Sequence, residues 1–350
     1  MIEPFTDIYF QRSKYILEKE GLNPFVRAQV FLRKRPGKIF GVREALTIIE
    51  TSIDLKIFAL SDGDKYRSME TVLLLEGRAQ DIIPLETVLL GIISAATTKA
   101  NDHCDISLRD ITRRTRNLVN ILSGRPLYYF GARHWHYRND AEISKAVFRG
   151  GAAAASTQVG AAVARQKPVG TIPHSLECVF AWKFGPDQAV VSSTRAFDKW
   201  IDKRIPRVAL VDFRNKEIDD SLACAEAIKN LWGVRVDTAG ENIMQGTKFS
   251  RGVSVSGITA LRKELNKAGF SQIKIVLSSG FGNKQKLEAF VHAEKKLKMK
   301  LFDAVGVGEL FSVRAATMDI VGVGANLNSL KPIAKVGREY KPNERLKKMR

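Results

Sequence analysis

IKIVLSSGFG (residues 273–282) is the stretch of sequence that decides the fold. It begins with Ile273 to Leu277, which are mostly apolar and β-prone, and it runs directly into a turn of serines and glycines. A helical pattern then covers Gln285–Leu297. A short apolar strand, a glycine-rich loop and a returning helix form the repeating unit of βα folds, so this stretch predicts such a fold.

The same unit occurs elsewhere in the C-terminal two thirds of the chain. Further strand candidates, each followed by a polar or glycine-rich loop, are Leu127–Phe130, Pro168–Gly170, Arg207–Val211, Gly233–Val236 and Phe302–Gly306. Helical patterns lie between them at Leu222–Leu231 and Thr259–Ala268. This alternation predicts an irregular βα barrel of the TIM type, in which the loops after the strands carry the chemistry.

The N-terminal part follows a different pattern. An amphipathic helix runs from Asp7 to Leu17 and ends at Gly21, and an apolar helix covers Leu85–Thr97. Between the helices, turn signals separate the strand candidates Ala28–Leu32, Leu55–Leu60 and Thr71–Leu75. Strands followed by a helix predict an α+β domain in this part.

Composition narrows the class of protein. A chain of 350 residues is longer than one hydrophobic core usually supports, so two packed domains are expected. Its 45% hydrophobic and 27% charged residues are typical of a globular protein. We expect no membrane span, because no uninterrupted apolar run reaches about 18 residues, and no secretory signal. Three scattered cysteines, Cys104, Cys178 and Cys224, predict neither disulfides nor a zinc site, and they predict a cytoplasmic location.

The formal net charge of +19 leaves two explanations open. Lys and Arg are spread along the chain except in the tail Lys341–Arg350 and near Arg109, Arg113 and Arg116, which share one helical face. They form either a solvated basic surface or an active-site mouth that attracts anions. No recognised nucleic-acid-binding module occurs, so we predict no nucleic-acid partner and keep a basic nucleic-acid-binding protein only as an alternative.

Two glycine loops, Ser278–Gly282 and Gly306–Gly308, follow strand candidates and precede helices. Glycine lets backbone N–H groups converge on a phosphate, although many βα turns need glycine for geometry alone. Two such loops in successive units favour one phosphate group held from both sides. The predicted phosphate-binding residues are Ser279, Gly280, Gly282, Gly306 and Gly308.

Three titratable residues stand where strands or turns end. Asp212 and Asp237 follow strand candidates, and Asp237 lies two residues from Arg235, so those two side chains share one side of a strand. The Arg–Asp pair either holds ribose hydroxyls or a metal-bound diphosphate, or is a structural salt bridge. His174 follows Pro173 in a predicted turn and serves as a general acid–base, a phosphate acceptor or a structural residue.

These motifs together resemble a known family over nearly the whole chain. The most specific are Phe130-Gly131-Ala132-Arg133 and Gly170-Thr171-Ile172-Pro173-His174-Ser175. Others are Thr6–Phe10, Leu85–Thr87, Gly233–Thr238, Ser279–Gly280 and Gly306–Gly308. The chain resembles the nicotinate phosphoribosyltransferase family, in particular its shorter archaeal-type members, with the fold that quinolinate and nicotinate phosphoribosyltransferases share.

The resemblance implies a two-part architecture. An α+β sandwich domain over residues 1–115 is completed by residues 311–350, and the irregular βα barrel occupies residues 116–310. The change of pattern near Tyr128 supports this division independently. The resemblance also implies a homodimer or a higher homo-oligomer, in which Tyr9 reaches the site of a partner subunit.

The resemblance further implies an enzyme that makes nicotinate mononucleotide and diphosphate from nicotinate and 5-phosphoribosyl 1-diphosphate in NAD biosynthesis or salvage. Phe130 stacks on the pyridine ring and Tyr9 closes its other face. Arg133 matches the base and phosphate site, and Arg235 faces the exocyclic group of the base. The remaining residues predicted at the base are Thr157, Gln158 and Thr171.

The resemblance implies that Asp212 and Asp237 hold the ribose and the magnesium diphosphate. Mg²⁺ is expected to arrive through the diphosphate, with Asp237 as the one protein ligand considered for it. ATP is expected as a co-substrate, because His174 matches a histidine that several members phosphorylate. No zinc is expected.

Departures from the family pattern keep alternatives open. Phe213 stands where a small or hydroxyl residue is common, and Val305 and Glu309 replace a Phe and a Thr around the late glycine loop. The alternatives are a nicotinamide-using enzyme, a quinolinate-using enzyme and an inactive ligand-binding paralogue. The neutral Gln158 favours nicotinate over nicotinamide, because an acid at this position would repel a carboxylate.

Overall fold

The computed structural model of the chain describes residues 2–33, 35–50 and 54–349. Its strands are β1 (Phe25–Leu32), β2 (Gly37–Lys38), β3 (Lys56–Ala59), β4 (Lys65–Tyr66), β5 (Thr71–Arg78), β6 (Leu127–Tyr129), β7 (Ala154–Ala155), β8 (Arg207–Leu210), β9 (Leu231–Val236), β10 (Lys274–Leu277), β11 (Ala304–Val307), β12 (Ala316–Gly324), β13 (Lys331–Pro332) and β14 (Lys347–Lys348). Its α-helices are α1 (Ile8–Lys19), α2 (Val42–Glu50), α3 (Ala79–Ile82), α4 (Glu86–Asp102), α5 (Leu108–Leu122), α6 (Asp140–Arg149), α7 (Gln158–Ala162), α8 (His174–Phe184), α9 (Ala189–Trp200), α10 (Glu217–Ala227), α11 (Val255–Lys267) and α12 (Lys284–Leu297).

An antiparallel sheet takes its strands from both ends of the chain, in the order β13-β12-β1-β5-β3-β14. At its centre Val26 of β1 lies opposite Gly77 of β5 and Val323 of β12. Helices α4 and α8 pack against β12, and every residue from Ala28 to Leu32 is buried. The predicted α+β part built from N-terminal and C-terminal segments is therefore present. The boundaries at 115/116 and 310/311 stay predictions.

A parallel sheet contains the strands between these segments, in the order β7-β6-β11-β10-β9-β8. Its strands are short, and β11 is buried along its whole length. Helices cover the outside, where α9 packs on β8 and α10 packs on β9. Because all the pairings are parallel, the carboxyl ends of these strands meet at one edge of the sheet.

The predicted strand Pro168–Gly170 is not a strand, although it lies where one was expected. The backbone N–H of Val169 donates to Ala155 of β7 at 3.0 Å, and the Thr171 hydroxyl donates to the carbonyl of Val208 in β8 at 2.8 Å. Proline offers no N–H and Gly170 has φ +144°, so no ladder forms. The sheet curls round and two hydrogen bonds replace one strand, which confirms an irregular βα barrel.

The helix predictions were only partly correct, because the amphipathic helices α2, α6 and α9 were not predicted. α4, α11 and α12 lie within a few residues of their predictions, whereas Leu222–Leu231 was wrong at both ends, since α10 spans Glu217–Ala227 and Leu231 begins β9. α8 was not predicted. Its residues 175–181 are all buried, so it lacks the one-sided apolar stripe from which a helix is recognised.

One apolar stretch, Ala79–Asp102, is long enough and apolar enough to cross a membrane by length and composition alone. The expectation of no membrane span rested on the lack of an uninterrupted apolar run of about 18 residues, and Asp81 and Glu86 do interrupt this stretch. In the structure 83% of the most apolar window is buried inside the fold. The protein itself therefore covers this apolar surface.

Candidate active site

The predicted site residues cluster at the carboxyl edge of the parallel sheet. Phe130 follows β6, Asp212 lies two residues beyond β8, Asp237 follows β9 and Ser278 follows β10. His174 was predicted to lie in a turn, but it is the first residue of α8. Strands that pair in parallel bring the loops after them together, so residues far apart in sequence face one space.

Arg133 is held by a buried polar cluster. Its Nη1 donates to Glu86 Oε1 at 2.5 Å and its Nη2 donates to the Tyr9 hydroxyl at 2.6 Å. The Tyr9 hydroxyl in turn donates to Asp7 Oδ2 at 2.8 Å, and Thr87 donates to the same oxygen at 2.9 Å. The cluster joins α1 and α4 to the loop after β6, so Arg133 is positioned by ion pairing and is not free.

Burial sets the charge states in this cluster. It raises the pKa of Glu86 to about 8, against the opposing effect of Arg133. It also raises the pKa of Tyr9, so the phenol stays protonated and donates its hydrogen bond. Sequence reasoning missed Glu86 as a functional residue. Its signal was an acid inside the otherwise apolar pattern of Leu85–Thr97.

Tyr9 lies against Phe130 of its own chain. Their ring centroids are 6.4 Å apart at 85°, and Tyr9 is 2% exposed. Close approach of Tyr9 to the 170 turn requires glycine there, since a Cβ on Gly170 would lie 2.5 Å from the tyrosine ring. The expectation that Tyr9 reaches a partner subunit therefore loses its basis, because the helix that carries Tyr9 packs on its own site.

Phe130 and Arg235 form the half-buried face predicted for a flat ring with an acidic group. The Arg235 guanidinium carbon lies 5.9 Å from the Phe130 ring centroid, and Nη2 donates to the carbonyl of Ile172 at 3.1 Å. Arg235 Nε has no hydrogen-bond partner among the described residues. The arrangement offers an aromatic surface beside a cation whose donors are not all used.

His174, Asp212 and Lys335 form a row at the same edge. His174 Nε2 lies 3.0 Å from Asp212 Oδ1, and Lys335 donates to Asp212 Oδ2. Lys335 also donates to the backbone carbonyl of Asp237 at 3.1 Å. Asp212 is fully buried, and Lys335 supplies the positive charge that compensates it, while His174 hydrogen-bonds its other oxygen. Sequence reasoning missed Lys335, which comes from the distant segment after β13.

The pKa shifts in this row follow from burial and from its charges. Burial lowers the pKa of His174 and so does Lys335, although Asp212 opposes them. Burial alone would raise the pKa of Asp212, but Lys335 and His174 outweigh it and hold that pKa well below its usual range. The arrangement is a neutral imidazole beside an ionised carboxylate, with one ring nitrogen engaged and the other turned away from Asp212.

Glu177 is a third residue that sequence reasoning missed. It lies one turn after His174 on α8, is fully buried, and neither carboxyl oxygen has a hydrogen-bond partner among the described residues. Burial raises its pKa well above the usual range, and the negative charges of Asp212 and Asp220 raise it further. A carboxyl group in this setting holds its proton at neutral pH.

The two glycine loops differ in what their glycines do. Ser279 and Gly280 both have positive φ, at +67° and +84°, and among the described residues beyond its chain neighbours the only atom within 4 Å of a Cβ on Gly280 would be Lys286 Nζ, at 3.7 Å. In contrast, a Cβ on Gly306 would meet the Phe130 ring at 2.5 Å, and one on Gly308 would meet His134 at 2.6 Å. Gly282 similarly packs against the carbonyl of Glu309. These last three glycines permit close packing, so the open part of the predicted phosphate site is the 279–280 turn.

Three residues predicted at the base have structural partners instead. The buried Thr157 hydroxyl donates to Asp140 at 2.5 Å and caps α7 by accepting from the N–H of Gly160. Thr171 closes the ring of strands, as described above. Gln158 is exposed and donates to Gln11 at 3.0 Å, and no contact in the described part of the chain brings it to Phe130 or Arg235.

Asp237 is half-buried at the centre of the cluster. Burial lowers the pKa of His174 and of Lys286, and the charge of Asp237 opposes this; the same charge also contributes to the raised pKa of Arg133, so Asp237 lies near all three. Within the described ranges no group of three or more His, Cys, Asp or Glu side chains could hold a metal ion. Mg²⁺ commonly uses one or two carboxylates plus substrate phosphates, and Asp237 fits that limited role.

Comparisons with known proteins agree with this geometry. A family model described as quinolinate phosphoribosyl transferase, N-terminal domain, matches residues 7–97. Over almost the whole chain, the sequence is 31% identical to a nicotinate-nucleotide pyrophosphorylase from Pyrococcus furiosus, covering 95% of this chain and 77% of that one. The TM-score of that pair is 0.48, so the sequence identity is the informative part of the comparison.

Two further structures share the fold at low identity. A putative nicotinate phosphoribosyltransferase from Saccharomyces cerevisiae matches with a TM-score of 0.69 at 16% identity, covering 92% of this chain and 91% of that chain. A nicotinate phosphoribosyltransferase from Porphyromonas gingivalis matches with a TM-score of 0.67 at 13% identity, covering 95% and 93%. Both support the arrangement of an antiparallel sheet beside a curled parallel sheet.

Proposed function

This chain belongs to the family of nicotinate and quinolinate phosphoribosyltransferases, and from that premise we propose that it transfers the phosphoribosyl group of 5-phosphoribosyl 1-diphosphate to nicotinate. The products are nicotinate mononucleotide and diphosphate, in NAD biosynthesis or salvage. The sequence identity over the whole chain supports an enzyme of this type. The identity of the base is argued from the site.

One observation carries the choice of base: Arg235 stands beside the Phe130 ring, and its Nε has no hydrogen-bond partner in the described part of the chain. A pyridine ring stacked on Phe130 brings its carboxylate to that guanidinium. A carboxylate accepts bidentate hydrogen bonds from arginine, whereas a neutral carboxamide gains less from the positive charge. This favours nicotinate over nicotinamide.

The other arginines near this face argue against a second carboxylate on the base. Arg133 is committed to Glu86 and Tyr9. Arg12 donates to the carbonyl of Gly170, and burial lowers its pKa to about 10. Only Arg235 combines a position at Phe130 with an unused donor among the described residues, so a base with one carboxylate fits better than quinolinate with two.

The carboxyl edge supplies what the leaving diphosphate requires. Loss of diphosphate from the anomeric carbon creates positive charge on the ribose and negative charge on the leaving group. Asp237 is the residue proposed to hold ribose hydroxyls or a magnesium ion carried by the diphosphate, and such an ion would neutralise the leaving charge. Phe130 and Tyr9 exclude water from the base and orient its ring nitrogen toward the anomeric carbon.

His174 is the residue through which ATP is proposed to act. Its Nε2 is engaged by Asp212, which leaves Nδ1 as the nitrogen for a phosphoryl group. The neutral state favoured by burial keeps a lone pair on that nitrogen. A phosphorylated histidine beside the diphosphate site couples ATP hydrolysis to nucleotide formation.

One assay tests the proposal. Purified protein is incubated with 5-phosphoribosyl 1-diphosphate and magnesium, with nicotinate, nicotinamide or quinolinate, with and without ATP, and diphosphate release is measured. We expect kcat/KM for nicotinate to exceed that for nicotinamide at least about tenfold, or about 1.4 kcal/mol in the transition state. If diphosphate is released with quinolinate and with neither of the other bases, quinolinate is the substrate. If the protein binds 5-phosphoribosyl 1-diphosphate but releases no diphosphate with any base, it is an inactive paralogue.

A further inference from the structure

Lys286 lies at the open turn of the phosphate loop. It is in the first turn of α12, and its Nζ donates to the backbone carbonyl of Ser279 at 2.8 Å. The same nitrogen is 3.7 Å from the position of a Cβ on Gly280 and 4.6 Å from the Phe281 ring centroid. The ammonium group is therefore fixed at the turn by one carbonyl oxygen and by an aromatic face.

Lys286 differs from its neighbour Lys284 in its ionic partners. Lys284 is 57% exposed and pairs with Glu288 at 3.4 Å, one turn along the same helix. Lys286 is half-buried and makes no ion pair within 4 Å in the ranges that the structure describes. A half-buried ammonium without a carboxylate partner is costly to desolvate, unless a ligand supplies the negative charge.

The groups around Lys286 define what that ligand can be. Burial lowers the pKa of Lys286 to about 8. The negative charge of Asp237, on the loop after β9, opposes this shift but does not cancel it. Ser279 and Gly280 leave open space beside Nζ, with their backbone in the left-handed region. A tetrahedral anion with several acceptor oxygens fits the ammonium and the turn together.

We infer that Lys286 binds the 5-phosphate of the phosphoribosyl donor at the Ser279–Gly280 turn and sets the affinity of the site for phosphate monoesters. This inference rests on the proposed function, because it assigns a residue to the donor site of that reaction. The phosphate replaces solvent around the ammonium, while the Ser279 carbonyl continues to orient it. Gly282, Gly306 and Gly308 support the loop by close packing.

Ribose 5-phosphate, which carries the phosphate without the diphosphate, is the probe. Its binding to the full chain is measured by calorimetry for the wild type, Lys286→Met, Lys286→Arg and the control Lys284→Met. We expect Lys286→Met to weaken binding at least about tenfold, Lys286→Arg to retain most of the affinity, and Lys284→Met to stay within about twofold. Equal affinity of Lys286→Met and the wild type, or no binding to the wild type, overturns the inference.

Proton uptake by the wild type provides a measurement that needs no variant. A bound phosphate dianion raises the pKa of an adjacent ammonium, so binding near pH 8.5 takes up protons and weakens as the pH rises above about 8. Calorimetry in two buffers of different ionisation enthalpy measures this uptake. If Lys286→Met does not fold, absence of uptake by the wild type still overturns the inference.

The inference and the proposed function fail in different ways. Binding of ribose 5-phosphate through Lys286 without release of diphosphate rejects the proposed reaction and leaves the phosphate site standing. Turnover by Lys286→Met with an unchanged KM for the phosphoribosyl donor rejects the phosphate site and leaves the reaction standing.

Discussion

Arg235 is set apart from Arg133 by its partners. Arg133 donates hydrogen bonds to Glu86 and Tyr9, whereas Arg235 donates one hydrogen bond, to the carbonyl of Ile172. Replacement of Arg235 by Gln should lower kcat/KM for nicotinate about 10²-fold and should lower that for nicotinamide much less, since a hydrogen bond to a charged group contributes about 1.5–3 kcal/mol. Steady-state kinetics with both bases measure the ratio.

Gln158→Asp is the matched control for that experiment. Gln158 is exposed and bonded to Gln11, so the structure predicts an unchanged ratio of nicotinate to nicotinamide. The sequence had instead predicted that an acid at this position would narrow or reverse the ratio. A reversed ratio in Gln158→Asp would show that the residue enters the pocket when substrate binds.

His174 can act in two ways, and one substitution separates them. If it accepts a phosphoryl group from ATP, His174→Ala abolishes stimulation by ATP and leaves the slower ATP-independent transfer measurable. If it is a general acid for the leaving diphosphate, both activities fall by about 10²–10⁴-fold. The bond from Nε2 to Asp212 favours the first outcome, because it leaves Nδ1 for the phosphoryl group. Unchanged activities in both assays would make His174 a structural residue.

Glu177 gives the protein a pH-dependent stability. Because burial raises its pKa, its contribution to stability is complete below the unfolded pKa of about 4.3 and is lost as the pH rises through the folded pKa. Glu177→Gln removes this ionisation. We expect the free energy of unfolding of the variant to rise relative to that of the wild type, by up to about 1.4 kcal/mol per pH unit between pH 5 and pH 8.

Urea unfolding of both proteins at the two pH values measures this difference. A difference between the proteins that is the same at pH 5 and pH 8 would show that Glu177 does not ionise in this range. Activity measured on the same samples shows whether the carboxyl also acts on its neighbours His174 and Asp212.

The sequence located the residues of the site that follow strand ends, and it missed those that arrive from elsewhere. Asp212 and Asp237 could be predicted because the carboxyl ends of parallel strands converge. Arg235 could be predicted because it shares one side of β9 with Asp237, whereas the role of Phe130 came from the family resemblance. Lys335 could not, since only tertiary folding brings it to Asp212. Glu177 and Lys286 lie on helices, and their roles depend on burial and on missing partners, which a sequence does not reveal.

At the scale of elements, the packing of β11 against the loop after β6 fixes the aromatic face. Gly306 in β11 lets the Phe130 ring lie directly over the strand, and a methyl group there would come within 2.5 Å of the ring. We expect Gly306→Ala to displace Phe130, raise KM for nicotinate and cost about 1–3 kcal/mol in the free energy of unfolding.

Gly240→Ala is the control for Gly306→Ala. Gly240 lies in the loop after β9, and a Cβ there meets nothing within 4 Å. Kinetics and thermal unfolding of the two variants separate overpacking from a general effect of removing glycine. Similar KM and stability in Gly306→Ala and the wild type would contradict the role given to this strand.

The helices and strands differ in how well the sequence predicted them. Helices α11 and α12 and the strands bounded by turn signals were located within a few residues, since their periodicity reflects one buried face, but the amphipathic α2, α6 and α9 were not predicted. α8 is buried all round and shows no such period, and the ring segment 168–171 uses two isolated hydrogen bonds where a ladder was expected. The family resemblance, which the 31% identity confirms, identified the βα barrel although one of its strands is missing.

At the scale of the whole molecule, the position of Tyr9 decides whether activity is expected to depend on homodimerisation. The site receives Tyr9 from its own chain, with the hydroxyl bonded to Arg133 and Asp7. Homodimerisation stays a prediction from the family resemblance, but the structure gives no reason for activity to depend on it. We expect specific activity to stay constant as the protein is diluted through any dissociation that sedimentation reveals. Loss of activity in parallel with dissociation would show that a partner subunit completes the site.

The pairing of β1 with β12 has a consequence for how this protein is made. A ribosome releases β1 early, while β12 and the segment that carries Lys335 emerge only after the whole barrel has been synthesised. Until then the nascent chain presents one side of β1 as an open strand edge, and such edges pair readily with other unfinished chains. Growing polypeptides of this protein are therefore expected to need chaperone cover until β12 and the Lys335 segment have emerged, and to acquire enzymatic activity only at that point.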